Sequence, residues 1–376
     1  MAMRTKVVHV SSVHPRNDIR VFLKMSLSAA SAGHDVAYVV ADGKGDAVVS
    51  GVRILDVGRP TSRANRMLHA ARRVVRVAAE LDADLYHLHD PELHPWCHEL
   101  RGGRARVVFD SHEDVPKQIL GKPYLHRTAA MAVSAGYAAL ESTMLRQYDG
   151  LIGATPSIAK KLSGFHKNVE LINNFPLASE LASDIEWSAK RDQVAYVGSI
   201  SRIRGALQVV RSLETLQSGA RLNLVGPYSD QGLEEELMRQ PGWRRVNALG
   251  QLGRAEVRDV LSSSLAGLVT FLAAPNHIDA QPNKMFEYMS AGIPVISSDF
   301  PVWREIVDGT GSGICVDPTS ERDIGGAIDA LTLNPARARE LGERGRRAVA
   351  RVYNWGIEEG KLLHFYDDLL SGRGGA

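Results

Sequence analysis

The chain has 376 residues, with 45 Lys and Arg against 43 Asp and Glu and a formal net charge of +2. That length exceeds one typical core and sets two domains as the expectation, while the near-cancelled charge gives nucleic-acid binding no support. The two cysteines, Cys97 and Cys315, lie far apart and exclude a disulfide framework, and no run of about 18 or more apolar residues is present to span a membrane.

The opening MAMRTKVVHV lacks the apolar core and cleavage signature of a secretory signal, so a cytoplasmic protein is expected. Thr5 to Val10 reads as a strand, and Asp18 to Ala32 as a helix ended by Gly33. Strands follow at Asp35 to Ala41 and Val52 to Val57. Arg63 to Leu81 is an amphipathic helix, with Met67, Ala71, Val74, Val75 and Ala78 on one face and arginines on the other. Strand Asp84 to Leu88, helix Glu92 to Leu100 and strand Ala105 to Phe109 come next. A long helix, Leu125 to Arg146, leads to strand Gly150 to Gly153. A short helix after Thr155 and strand Val169 to Ile172 close this half. Asn173-Asn174-Phe175-Pro176 reads as a turn, and the polar stretch to Asp192 lacks periodicity.

The alternation then restarts with strand Gln193 to Val197, the loop Gly198 to Gly205 and a helix from Ala206 to Leu216. Strand Arg221 to Val225, helix Gln231 to Met238, strand Arg245 to Leu249, a helix after Arg254 and strand Leu265 to Phe271 follow. Beyond residue 299 come a helix around Trp303 to Val307, strand Gly313 to Val316, and helices Glu321 to Leu331, Arg337 to Val352 and Gly356 to Leu370. Strands alternating with helices predict parallel sheets covered on both faces, with ligands at the carboxyl ends of strands.

Ala273 to Asp299 carries the densest signal. Pro275 and Pro282 keep its approach irregular. Asn283 is expected to cap a helix beginning at Lys284, Gly292 to end it in the left-handed region, and Ile293 to Ile296 to form a strand. The N–H groups of Lys284, Met285 and Phe286, with the Lys284 charge, make a candidate anion site. Glu287, one turn in, is placed to accept from hydroxyl groups such as those of a ribose, and Asp279 precedes it by eight positions. Gly198-Ser199 begins a second strand-end loop, from which Arg204 or Arg202 can meet a phosphate bidentately. Gly250-Gln251 ends a third strand, where glycine admits a flat base to the backbone. The plainer readings are a solvated helix with one ordinary glutamate and two polar turns.

In the first half, three strand-end clusters hold the polar chemistry: His14, Arg16, Asp18 and Arg20; His87, His89 and Asp90; and Asp110, His112, Glu113 and Asp114. Burying such groups unpaired is costly, so a cleft is their expected setting, although any one histidine also fits a structural hydrogen bond. His87, His89, His94, Cys97 and His98 are dense enough to raise a metal reading. Their spacing matches no zinc pattern, and a strand is expected to separate the side chains, so no metal is assigned. Gly309 to Gly313 fails the dinucleotide fingerprint because it precedes a strand, and no nucleophile elbow or Walker loop occurs. The arginine face of Arg63 to Leu81 reads as solvated, with attraction to an anionic membrane as the sharper alternative.

HPRNDIRVFLK, YHLHDPEL, FDSHEDVPKQI, INNFP, YVGSISRIRG, LGQL, QPNKMFEYMSAGIPVISSDFPVWREIV and NWGIEEGKLLHFYDDLL together resemble the retaining glycosyltransferases of the GT-B fold, glycosyltransferase family 4. The resemblance implies two Rossmann-like parallel-sheet domains facing a central cleft. The acceptor-side domain would be 1–175 plus the terminal helix 356–376, which crosses back to it. The linker would be 176–192 and the nucleotide-sugar donor domain 193–355. It implies transfer of a sugar from a UDP- or GDP-sugar to an acceptor hydroxyl with retention, in surface polysaccharide, glycolipid or glycoconjugate synthesis, at the inner face of the membrane or free of it. It places Gly198, Ser199, Arg204, Gly250, Gln251, Asp279, Asn283, Lys284, Met285, Phe286 and Glu287 on the donor. His14, Arg16, Asp18, Arg20, His89, Asp90, His112 and Glu113 fall on the acceptor side, and His112, Arg204 and Asp279 at the chemistry. No metal or other cofactor is implied, since backbone dipoles, Lys284 and Arg204 would neutralise the diphosphate. Two positions depart from the family pattern: Asp279 stands where a glutamate is usual, and Ser199 where an arginine is frequent. An epimerase or phosphorylase of the same fold, or a non-catalytic nucleotide-sugar binding subunit, are the alternatives.

Overall fold

Val8 and Val10 of the first strand face one side of a sheet, where they join the largest apolar cluster of the first half, and Val7 and His9 face the other. A computed structural model describes residues 4–121, 126–177, 181 and 186–372. The chain divides into two compact units, Met1–Asn174 with Trp355–Ala376, and Phe175–Asn354.

The first unit holds strands β1 (Lys6–Val10), β2 (Asp35–Val40), β3 (Ala47–Val49), β4 (Val52–Asp56), β5 (Leu85–Leu88), β6 (Arg106–Ser111), β7 (Gly150–Gly153) and β8 (Val169–Leu171). Their order is β3-β4-β2-β1-β5-β6-β7-β8, parallel throughout except the β3–β4 pair. Strand β3 has no counterpart in the sequence reading: three residues at a sheet edge are too few to show a period. The short helix Val115–Leu120, capped by Asp114, is likewise absent from it. Residues Ile19–Ser26 wind in the wider π form before the α-helix Leu27–Ser31, whereas the spacing predicts one regular helix. The predicted helix start at Leu125 lies outside the described residues, and the observed helix runs Arg127–Leu145.

One face of this sheet packs Val8, Val39, Leu88, Val107 and Leu151 against the helix Ala71–Ala79 and the 3-10 helix Pro91–Leu100. The other face lies under the Ile19–Ser31 segment and the terminal helix Trp355–Leu370. Tyr366 of that helix bonds His87, the indole N–H of Trp355 donates to Ser28 at 2.9 Å, and the Asn173 N–H donates to Glu358 at 2.7 Å. Of the predicted arginine face of Arg63 to Leu81, Arg66 pairs with Glu92 at 2.9 Å, and Arg72 and Arg76 pair with Glu99 at 3.0 and 3.4 Å. No helix among the described residues is long and apolar enough to cross a membrane.

The second unit holds β9 (Gln193–Val197), β10 (Arg221–Val225), β11 (Val246–Gly250), β12 (Ala266–Val269), β13 (Val295–Ser298) and β14 (Gly313–Val316), all parallel, in the order β11-β10-β9-β12-β13-β14. This order reverses between β9 and β12, the switch point at which doubly wound sheets bind ligands. Alternate residues fill two cores: Val194, Tyr196, Leu222 and Leu268 on one face, Ala195, Val197, Val225 and Val269 on the other. Strand β13 begins at Val295, two residues beyond the expected Ile293, because Gly292 and Pro294 occupy the turn and Ser297 and Ser298 continue the register with Cys315 and Val316.

At the carboxyl ends of β9, β10 and β11 stand Gly198, Gly226 and Gly250, with φ of 131°, 134° and 68°. The Gly226 N–H donates to Gly250 O at 2.7 Å, and a methyl on Gly226 would lie 1.9 Å from Gly198 O. Gly226→Ala is therefore expected to cost more than about 2 kcal/mol, visible as a lowered denaturation midpoint. Gly326→Ala, inside the helix Glu321–Thr332 with nothing within 4 Å, is the control and should be neutral or stabilising by about 1 kcal/mol. Equal midpoints for the two variants would refute this packing.

Candidate active site

The helix Asn283–Ser290 is seated at the switch point by Tyr288. Strand β12 pairs with β9 only through Ala266 and Gly267, so the sheet opens beyond them. The Val197 N–H, left without a strand partner there, donates to the Tyr288 hydroxyl at 3.0 Å, and the ring lies against Gly267, where a methyl would come within 2.3 Å of it. Pro282 precedes the helix and no side chain caps it, so the predicted Asn283 cap is corrected: Asn283 is the exposed first residue of the helix itself. The Met285 N–H, expected to be open to an anion, donates to Pro282 O at 3.0 Å. Met285 and Phe286 are core side chains, the Phe286 ring packing on Phe175 and Tyr353. At its end Gly292 takes φ +69°, as expected.

Glu287 is 7 % exposed and is held by two cations: Lys284 Nζ donates to Oε2 at 2.5 Å and Arg254 Nη1 to Oε1 at 3.2 Å. Burial alone would raise its pKa; the Lys284 and Arg254 charges outweigh it and hold the carboxyl below the ordinary glutamate value. A carboxylate has about four lone-pair sites, so Glu287 keeps one on each oxygen for two further donors such as vicinal hydroxyls. Arg254, the first residue of the helix Arg254–Ser263, was not among the predicted residues; nothing in LGQLGR marks it without knowing that this helix meets Glu287.

Arg204 lies across the same strand end. Its guanidinium sits 5.2 Å over the Phe271 ring. Gly205, at φ +73°, lets the loop close on β12: a methyl there would lie 2.0 Å from Thr270 O. A Cβ on Gly198 would lie 3.6 Å from both Arg204 Nη1 and Lys284 Cε, so two cationic side chains flank a backbone notch. Ser199 is half-buried in this loop, its carbonyl accepting from Tyr196 at 3.3 Å. Arg202 is turned away, paired with Glu236 and with Asp230. Gly250 and Gln251 are exposed at the end of β11, two strands from Gly198, and Asp279 is half-buried in the turn 275–279. His277, in that turn, donates to Leu272 O at 3.2 Å; burial, with Arg204 adding to it, lowers its pKa.

In the first unit, Asp110 gathers the polar residues of the β1, β5 and β6 ends. Its oxygens accept from Arg20 Nε and Nη2, both at 2.8 Å, and from His112 Nε2 at 2.9 Å, with His89 Nδ1 at 3.4 Å. It is fully buried, which would raise its pKa, but Arg20 and then His112 drive it well below the ordinary value. The His112 ring stands 4.8 Å from that of His14 and 5.6 Å from that of His89. Asp90 is buried and accepts from Ser11 Oγ at 2.8 Å and the Ser12 N–H at 2.6 Å, with His14 Nε2 at 3.5 Å. Asp18 accepts from the N–H groups of Arg20 and Val21, both at 2.8 Å, and pairs with His14 Nδ1 at 3.0 Å. Arg16 is clamped bidentately by Asp42 at 2.8 and 2.7 Å, and Glu113 is exposed and bonded to Gln118. The structure thus unites His14, Asp18, Arg20, His89, Asp90 and His112, and spends Arg16 on a loop contact.

The predicted His87–Cys97 density also resolves. His94 bonds Tyr148 at 2.8 Å, Cys97 is buried and free, and His98 is exposed with Pro95 O as partner. His87 and His89, two residues apart at the end of β5, share the other face, so the sheet separates them from His94 and Cys97 as expected.

The description "Glycosyl transferase 4-like domain" matches residues 20–172, and "Glycosyl transferases group 1" matches 179–348. The chain belongs to the group 1 glycosyltransferases. This glycosyltransferase is 23% identical over 310 residues to the alpha-maltose-1-phosphate synthase of Mycobacterium tuberculosis, covering 73% of the chain and 77% of the relative. Among solved structures, sucrose-phosphate synthase from Thermosynechococcus elongatus superposes with TM-score 0.79 at 18% identity, over 98% of this chain and 100% of that one. Anabaena HepE in complex with UDP gives 0.70 at 12%, over 97% and 100%. These structural likenesses show the fold, GT-B.

The glycosyltransferase's first-unit histidines separate by protonation. Burial opposes protonation of His14, yet the Asp18 hydrogen bond and the Asp90 charge raise its pKa above 6.5; burial holds His89 down to about 4. The stabilisation from protonated His14 is thus complete below about pH 6.5 and fades as pH rises through its raised folded-state value. An NMR imidazole titration should give a His14 midpoint above 6.5 and leave His89 neutral at pH 6; the reverse order would contradict the Asp18–His14–Asp90 arrangement.

Proposed function

We propose that this glycosyltransferase moves a sugar from a UDP- or GDP-sugar to an acceptor hydroxyl with retention of anomeric configuration. The observation that carries the reading is the notch at Gly198, flanked by Arg204 and Lys284 beside the two open lone-pair sites of Glu287. A diphosphate in that notch meets two positive charges, and a ribose diol reaches the Glu287 carboxylate. Arg204 takes the charge that develops on the departing phosphate. That phosphate removes the acceptor proton on the face it leaves, so no protein nucleophile is required and configuration is kept. His112, its Nε2–H donated to Asp110, presents Nδ1 as an acceptor to a sugar hydroxyl. Asp279, a shorter acid than the family's usual glutamate, is assigned to the donor sugar. UDP bound to Anabaena HepE and the sugar-phosphate synthase relatives support this donor chemistry. The acceptor is a glycan, lipid-linked or small-molecule hydroxyl.

Arg204→Ala is expected to lower kcat about 100-fold or more, and Glu287→Ala to weaken UDP or GDP binding, each with an unchanged circular-dichroism spectrum. Near wild-type turnover and affinity in purified Glu287→Ala would remove the ribose assignment.

Neutralisation by Arg204 and Lys284 leaves the diphosphate with no need of an added divalent ion. Initial rates with EDTA should match those with magnesium or manganese to within about twofold. A strict requirement for either ion would put a metal on the phosphates. The anomeric configuration of the product, read by proton NMR, tests retention.

A further inference from the structure

Beneath the first-unit site, His9, His87 and His89 gather on one face of β1 and β5. His9 and His87 are register partners on neighbouring parallel strands, and His89 follows two residues on. All three are buried, at 0, 0 and 2 % exposure, and ring centroids lie 5.1, 5.3 and 4.3 Å apart. His9 Nδ1 faces His89 Nε2 at 3.0 Å, a contact between two nitrogens that share at most one proton. His9 Nε2, His87 Nε2 and His89 Nδ1 are buried without a hydrogen-bond partner. An orphaned buried nitrogen is costly, and strand interiors offer β-branched residues with no such penalty. Three imidazoles here call for a ligand that accepts their lone pairs.

We propose that His9, His87 and His89 bind one first-row transition-metal ion, zinc fitting the all-nitrogen donor set best. One ring nitrogen of each lies within 4.8 Å of the others. Tetrahedral zinc–nitrogen bonds of about 2.0–2.1 Å set nitrogens about 3.3 Å apart, close to the His9–His89 separation. The outer contact of His87 matches what a metal-bound imidazole needs, since each ligand's other nitrogen is usually held by a carboxylate or hydroxyl. His87 Nδ1 meets the Tyr366 hydroxyl at 2.6 Å, while His89 Nδ1 is buried 3.4 Å from Asp110 without a hydrogen bond to it. The ion would fasten β1 to β5 under Asp110 and, through Tyr366, under the terminal helix. It belongs to the first unit, whereas the diphosphate notch belongs to the second.

The test is direct binding by the full-length protein. After equilibration with zinc and desalting, elemental analysis should give one ion per chain, with a sub-micromolar Kd by competition with a chromophoric chelator. Cobalt in its place should give the visible absorption of a tetrahedral nitrogen site. His9→Gln and His87→Gln should each weaken zinc at least about tenfold, and His112→Ala should leave it unchanged. That last variant separates this cluster from the neighbouring His89–Asp110–His112 group. Folded wild-type protein that takes up no zinc at about 10 µM free ion overturns the proposal, whatever the variants do. So does zinc binding that survives His9→Gln and His87→Gln and disappears in His112→Ala.

Discussion

The second unit of the molecule depends on a sheet that comes apart. β9 and β12 share only two register pairs before diverging, and a diverging parallel pair strands a backbone N–H in the core. Tyr288 supplies the missing acceptor to Val197 and fills the gap over Gly267. One side chain thereby fixes the rotation of the helix Asn283–Ser290. With Tyr288 turned inward, Lys284 and Glu287 turn to the strand ends, where Arg254 arrives from the next helix. The three glycines ending β9, β10 and β11 keep the floor at backbone level, so a bulky anion can approach where side chains would otherwise stand.

The first half uses a different device. There a buried carboxylate, Asp110, is made tolerable by a bidentate arginine and then shared with two histidines. A buried ion pair of this kind is a weak source of stability but a strict positional constraint, because removing one partner strands the other charge. Arg20 is tied further by donation to Ile172 O, so β1's following segment, β6 and the strand leading out of β8 are indexed to one another. His112 inherits its orientation from this arrangement. The terminal helix completes it from beyond the second unit, carrying Tyr366 to His87 and Glu358 to Asn173.

Much of this was legible beforehand, for particular reasons. Gln193–Val197, Arg221–Val225, Gly150–Gly153 and Gly313–Val316 are apolar runs bounded by glycine or polar residues, and their ends coincide with the observed strands. Glu287, Lys284 and Arg204 were recognisable because charged residues at strand ends and helix starts have few structural uses. What stayed hidden was contact between elements. Arg254 is an ordinary helix residue until its helix lies against Glu287, and Asp42 is an ordinary loop acid until it takes Arg16 out of the site. Met285 and Phe286 sit within the family segment, yet their side chains belong to the core. Asn283 has the chemistry of a cap, but Pro282 occupies the capping position and the helix begins one residue early.

The sequence by itself determined the period of each element, the alternation that makes both sheets parallel, and the strand ends at which polar residues collect. These follow from local sterics and from the two-residue and 3.6-residue repeats, which need no knowledge of neighbours. Only the tertiary structure decided which polar residues gather at the strand ends and which are consumed in pairs elsewhere. It also brought His9 against His87 and His89, across a strand pairing that no local pattern encodes. The physical reason is range: a helix or strand is set by residues a few positions apart, whereas a carboxylate's partner, or an imidazole's, is chosen by the packing of segments far apart in the chain.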